Sequence, residues 1–192
     1  MNNAPVAVRH RPFLTPIWLT AIAAFFAFAL VLAAAFTLWE WGTADSTTVI
    51  VIRHAEKALD GGTDPKLTAD GEARAALLAR LFGSSGAPGR IDAIYVSATE
   101  RSRATADPLA AALHVTPVVA PADNAKALAR RALREHAGGR VLIVGHSDTV
   151  PAIVAELSGE RGIPEIGATE YGVMYIVTVP RFGRANFVRL NY

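Results

Sequence analysis

From Ile17 to Trp39 the chain reads "IWLTAIAAFFAFALVLAAAFTLW", 23 residues without a charge. As a helix this run is about 34 Å long, enough to cross a bilayer. Trp18 lies near one end and Trp39 and Trp41 at the other, where amphipathic rings favour the membrane interface. Arg9 and Arg11 precede the run, and Glu40 and Asp45 follow it. The positive-inside rule then keeps the N-terminus in the cytoplasm and exports the remainder. The expected organisation is a cytoplasmic tail over 1–16, a transmembrane anchor over 17–39, a linker over 40–47 and an exported domain over 48–192. A cleaved signal peptide is the rival reading, with "GTA" (Gly42 to Ala44) as a small-residue cleavage site. A buried helix of a soluble protein is disfavoured by the length of the uncharged run.

Beyond Ser46 the pattern changes to short apolar runs alternating with helical ones. "TTVIVIR" (Thr47 to Arg53), "IDAIYVS" (Ile91 to Ser97) and "RVLIVG" (Arg140 to Gly145) are apolar without alternation, as strands covered on both faces are. "GEARAALLARLF" (Gly71 to Phe82), "NAKALARRALREH" (Asn124 to His136) and "TVPAIVAEL" (Thr149 to Leu157) have helical spacing. "RSRATADPLAAAL" (Arg101 to Leu113) is also a helix, one that must tolerate Pro108 by a kink or a late start. "VTPVVA" is a short extended piece, and "VMYIVTV" and "NFVRLNY" form a hairpin across "PRFGRA". "GSSGAPG" (Gly83 to Gly89) is a loop. There are no internal repeats. Strands alternating with helices predict an α/β domain: a three-layer α/β/α sandwich with a largely parallel central sheet, preceded by one transmembrane helix.

Charge and composition narrow the chemistry. The net charge is +2, and from Ser46 onward 17 Lys/Arg face 15 Asp/Glu. The basic residues are scattered without an aromatic stripe, which argues against nucleic acid. With no cysteine, a disulfide framework, a thiolate nucleophile and a cysteine zinc site are excluded. Arg130, Arg131 and Arg134 belong to a solvated helix face, with a lipid-headgroup contact as the alternative.

The strand ends hold the candidate chemistry. The first strand ends in Arg53-His54, the second in Ser97 with Arg101 one helical turn on, and the third in Gly145-His146. Ligands of parallel α/β sheets bind at the carboxyl ends of the strands. Neighbouring strands would therefore bring two arginines and two histidines to one pocket. Guanidinium forks match the oxygens of a tetrahedral oxyanion. Helices beginning after Ser97 and His146 would add their N-terminal donors, and Pro151 suits a first helical turn. Without cysteine, a histidine is the candidate covalent nucleophile. A metal site at His54 and His146 is disfavoured because the adjacent arginines would repel a cation. His10, His114 and His136 have no comparable setting and read as surface residues.

These residues resemble the histidine phosphatase superfamily, the group that includes phosphoglycerate mutase. "RHAEK" (Arg53 to Lys57) is similar to its Arg-His-Gly-Glu signature, and "LTADGEARA" (Leu67 to Ala75) to the segment after it. "SATERSRATA" (Ser97 to Ala106) resembles the second arginine motif and "VLIVGHSDTVP" (Val141 to Pro151) the second histidine motif. The likeness covers roughly residues 48 to 180. It implies His54 as the nucleophile that becomes phosphohistidine, Arg53 and Arg101 as the phosphoryl clamp, and His146 as a hydrogen-bonding stabiliser of the transition state. Lys57 is expected to help bind substrate or to be a rim charge. No metal or organic cofactor is implied. Ala55 departs from the family glycine and is harmless if the backbone there needs no positive φ. The acid that protonates the leaving oxygen is open among Glu100, Asp123 and Asp148.

The expectation is a membrane-anchored phosphomonoester hydrolase acting outside the cytoplasm, on a phosphorylated small molecule or a phosphoprotein. A mutase is disfavoured because the loops are short. Alternatives are a phosphohistidine or phosphoprotein phosphatase and a non-catalytic phosphate-binding envelope protein. Specificity is expected from the loops "ALDGGTDPK" and "SGERGIPEIGATEYG".

Overall fold

The uncharged run forms a single helix, α1 (Ile17–Ala44), in a computed structural model that describes residues 17–44, 46–59, 62–83, 89–121 and 124–192. Its stretch Trp18–Trp39 has a mean hydropathy of 2.5, and none of its residues is buried. Apolar residues face every direction around it, with Phe25, Phe26 and Leu30 all exposed, as in helices made for an apolar solvent. It is long and apolar enough to cross a membrane, and a signal sequence has the same character. The chain divides into two units, Met1–Trp41 and Gly42–Tyr192.

The second unit alternates strands and helices: β1 (Ser46–Arg53), α2 (Ala69–Phe82), β2 (Ala93–Val96), α3 (Glu100–Leu113), β3 (Val118–Val119), α4 (Ala125–Glu135), β4 (Arg140–Gly145), α5 (Thr149–Ser158), β5 (Val173–Pro180) and β6 (Asn186–Asn191). The strands form one sheet in the order β3-β2-β4-β1-β5-β6. The pairs β3–β2, β2–β4 and β4–β1 are parallel; β1–β5 and β5–β6 are antiparallel. The sheet is therefore mixed, and its antiparallel part is the C-terminal hairpin read from the sequence.

Two-residue periodicity divides the core. Val49 and Val51 of β1 lie on one face with Val141 and Ile143 of β4, packed on Ala129 and Ala132 of α4 and Ile153 and Val154 of α5. Ile50 and Ile52 lie on the other face with Leu142 and Val144, packed on Leu78 of α2 and Ala106 and Leu109 of α3. Both faces are covered, which is why these strands read as unbroken apolar runs. The result is the three-layer α/β/α sandwich. α3 passes through Pro108 without ending; its buried stripe of Ala106, Leu109, Ala110 and Leu113 holds it against the sheet. His114 closes α3 in the left-handed conformation, φ 55°. His136 is a structural residue rather than a surface one, its Nε2 lying 3.1 Å from the Tyr95 hydroxyl. His10 lies outside the described residues. Arg130 and Arg131 pair with Glu156 and Glu135, consistent with a solvated helix face.

One glycine fixes the segment that follows β1. A Cβ added at Gly71, in the first turn of α2, would lie 2.3 Å from the Glu56 carbonyl oxygen. That oxygen is already held by the Thr68 amide at 2.9 Å, so it has no free direction of retreat. Gly71→Ala is expected to destabilise the domain by about 2 kcal/mol, the usual cost of forcing atoms into a packed site. Thermal unfolding of the variant checks this, and an unchanged Tm would show that the loop can yield.

Candidate active site

Strand register brings the site together. In the parallel pairing of β1 with β4, Arg53 is level with Gly145. In that of β2 with β4, Val96 is level with Val144. Three adjacent strands thus end at one height, and the next residues, His54, Ser97 and His146, share a sheet edge. The His54 and His146 rings stand 5.3 Å apart, centroid to centroid, at 64°. With Arg53, Lys57, Arg101, Ser147, Asp148 and Thr149 they line a cavity of about 500 Å³. All five residues singled out from the sequence, Arg53, His54, Lys57, Arg101 and His146, are therefore in one pocket.

Each group is held from behind. The His54 amide donates to the Gly145 carbonyl at 2.9 Å. The Ala55 amide donates to Thr105 Oγ1 at 2.9 Å, and that hydroxyl donates to the Arg101 carbonyl at 2.7 Å. Thr105, fully buried in α3, thus ties the tip of β1 to the helix that carries Arg101. Ala55 is fully buried and lacks a positive φ, so the position asks nothing that alanine cannot give. The His146 ring is fixed by Ser97 Oγ, 2.9 Å from Nε2, and Ser97 Oγ is itself 2.8 Å from Ser102 Oγ.

The two arginines are set differently. Arg53 is 5% exposed. Its Nη1 donates to the Gly167 and Glu170 carbonyls at 2.7 and 3.1 Å, and Nη2 to the Ala168 carbonyl at 2.9 Å. Its guanidinium carbon sits 4.2 Å from the centre of the Tyr171 ring. Arg101 donates from Nη1 to Asp64 at 3.2 Å, and the same carboxylate accepts from the Glu100 amide at 2.9 Å, at the start of α3. In both arginines Nε is buried without a hydrogen-bond partner among the described residues. Buried guanidinium donors are normally satisfied. Nε with the adjacent Nη2 is the edge that binds two oxygens of one oxyanion, so the orphaned atoms fit a phosphate-like group.

His54 is in the protonation state a nucleophile needs. Its Nδ1 lies 2.8 Å from the Ala55 carbonyl. A carbonyl only accepts, so Nδ1 carries the proton and Nε2 keeps its lone pair. Burial first, and then the positive surroundings of His146, Arg101 and Arg53, push the His54 pKa down from 6.5 to about 4. His146 is also lowered, by burial and then by Arg101. Between pH 4 and 6.5 the unfolded chain therefore binds more protons than the folded one. The contribution of His54 to stability is complete above about pH 6.5 and is lost as the pH falls toward 4. NMR titration of the His54 ring is expected to give a midpoint near 4, and a midpoint near 6.5 would contradict the desolvated setting.

Of the three acids considered for proton transfer, Asp148 lines the pocket. Glu100 does not; its backbone amide, not its carboxylate, faces Asp64. Asp123 lies outside the described residues. Three contributors escaped the sequence reading: Asp64, which orients Arg101; Tyr171, under Arg53; and the carbonyls of residues 167–170. Asp64 and Tyr171 fall in the two loops expected to set specificity, which was the only signal available. Among the described residues there is no cluster of three or more metal-ligating side chains.

Known proteins share this fold. The family model "Histidine phosphatase superfamily (branch 1)" matches residues 49–123. The solved structure of the protein histidine phosphatase SixA complexed with tungstate is similar with a TM-score of 0.60 and 24% identity, over 75% of this chain and 96% of that one. The mycobacterial glucosyl-3-phosphoglycerate phosphatase is similar at TM-score 0.59 and 14% identity, over 77% and 98%. The phosphoserine phosphatase of Entamoeba histolytica, in complex with 3-phosphoglyceric acid, gives 0.56 and 17%, over 76% and 97%. No curated protein sequence matches the chain. The second unit has the histidine phosphatase fold, and the part of it from 49 to 123 is what matches the superfamily's model.

Proposed function

We propose that the protein is a phosphomonoester hydrolase working through a phosphohistidine on His54. The observation that carries this reading is the His54 Nε2 lone pair, held in a pocket with two arginines whose buried Nε atoms have no partner among the described residues. Arg53 and Arg101 hold the non-bridging oxygens of the phosphoryl group, and His146 hydrogen-bonds it. Nε2 attacks phosphorus, the bond from phosphorus to the leaving oxygen breaks, and that oxygen takes a proton from Asp148. Water then attacks the phosphohistidine, giving its proton to the Asp148 carboxylate and releasing phosphate. Preorganised guanidinium donors stabilise the charge that develops on the equatorial oxygens in both steps. Lys57, on the pocket wall, adds a positive charge for the incoming dianion. The uncleaved α1 anchors the domain to the membrane with its N-terminus in the cytoplasm. The pocket lies at the far end of β1 from Ser46, about 26 Å for an eight-residue strand.

Rapid quenching of the full-length protein with a radiolabelled phosphomonoester is expected to trap label that is stable to base and released by acid, as a phosphoimidazole is. Phosphate release without such a species would overturn the covalent route. Asp148→Asn is expected to slow alkyl phosphates by about 10²-fold, the usual worth of a general acid, and to leave acetyl phosphate, whose leaving group is already acidic, nearly unaffected. Equal slowing of both would remove Asp148 from proton transfer. The protein histidine phosphatase reading shares this chemistry, and a phosphohistidine-bearing protein belongs among the substrates tried.

A further inference from the structure

A second cavity of about 480 Å³ opens off the catalytic pocket, and the two share Ser147 and Asp148. One wall is Pro151 and Ala155, on the first two turns of α5; the other is Gly162, Ile163, Glu165 and Ile166, from the segment after that helix. From Asp148 to Ala155 is about 10 Å along the helix axis. The side chains of Pro151, Ala155, Ile163 and Ile166 are apolar, and among the described residues the lining charges are two carboxylates, Asp148 and Glu165, with no cation. Arg161, of the same segment, is not in the lining. The catalytic pocket has the opposite character, with Arg53, Arg101 and Lys57.

We infer that this groove receives the leaving group of the substrate, and that it selects phosphate esters with an apolar chain ending in a positive charge. The inference rests on the phosphatase reading above, since only a phosphoryl group seated at His54 directs the remainder of the molecule past Asp148 into the groove. An ester bearing a carboxylate there would meet Glu165 with like charge, which disfavours it. Glu165 is thus a specificity-determining residue, exposed and outside the catalytic set.

The test uses a matched pair of substrates, 6-aminohexyl phosphate and 5-carboxypentyl phosphate, with acetyl phosphate as a short reference. The wild-type kcat/KM is expected to favour the amine by about tenfold, on the scale of a few exposed charge contacts. Glu165→Lys should abolish or invert that preference while leaving acetyl phosphate within about twofold of wild type. Ala155→Phe should fill the groove, slowing both long esters but not acetyl phosphate. If acetyl phosphate is turned over but the pair is treated alike, or the preference survives Glu165→Lys, the groove inference is wrong and the phosphatase reading stands. If nothing is turned over, the phosphatase reading fails. Calorimetric binding of the pair to His54→Ala then decides the groove: tighter binding of the amine supports it, and equal or absent binding overturns it.

Discussion

Replacing His54 by alanine is expected to remove phosphate release almost entirely, by about 10⁴-fold or more in kcat, as losing a covalent nucleophile does elsewhere. The imidazole is 3% exposed, with Nδ1 committed to the Ala55 carbonyl. Among the described residues, no other group in the pocket is a neutral nitrogen base with a lone pair fixed in this way. His146 is tied through Nε2 to Ser97. The variant should still fold, because the strand below His54 is held by its pairing with β4 and β5. Phosphate release by the purified variant, beside its thermal unfolding, checks the point. Activity equal to wild type in a folded variant would overturn the mechanism. Normal binding of inorganic phosphate with no turnover is the expected companion result, since both arginines remain.

The second large effect separates two arginines that look equivalent in sequence. Arg53→Ala is expected to lose about 10³-fold in kcat/KM, as removal of a transition-state donor does, and also about 3 kcal/mol of stability. Three backbone carbonyls, those of Gly167, Ala168 and Glu170, would lose their donor, and Tyr171 the cation on its ring. Arg101→Ala should lose comparable activity with little change in Tm, because its partner is the half-exposed Asp64 carboxylate, and exposed ion pairs contribute little. Arg53→Lys keeps the charge but not the planar fork, so it should rescue neither activity nor the loop. Denaturant titration beside steady-state kinetics on all three variants measures the split. If Arg53→Ala were as stable as wild type, the 167–170 loop would owe nothing to Arg53.

The sequence by itself determined the order of elements. The unbroken apolar runs ending at Arg53, Ser97 and Gly145, the amphipathic helices between them and the closing hairpin all appear in the fold. Such features are set by local periodicity and by which faces are covered. The pairing of chemistry with strand tips was legible for the same reason: a side chain just past a buried strand must lie at the sheet edge. Helix α3 shows the limit of local rules, since Pro108 disfavours a helix and the buried stripe of Leu109 and its neighbours overrides it.

What the tertiary structure decided is which tips meet and what holds them. The order β2-β4-β1 makes neighbours of strands that are far apart in sequence. Nothing in the periodicity of one strand names its partner, because the pairing energy comes from long-range register. Arg53 finds its carbonyls 114 to 117 residues away, and Asp64 meets Arg101 across 37. Loop backbones offer no pattern from which such contacts can be read. The groove that carries Glu165 is a third case: its two walls are adjacent in sequence, and it borders the His54 pocket through Ser147 and Asp148 before α5.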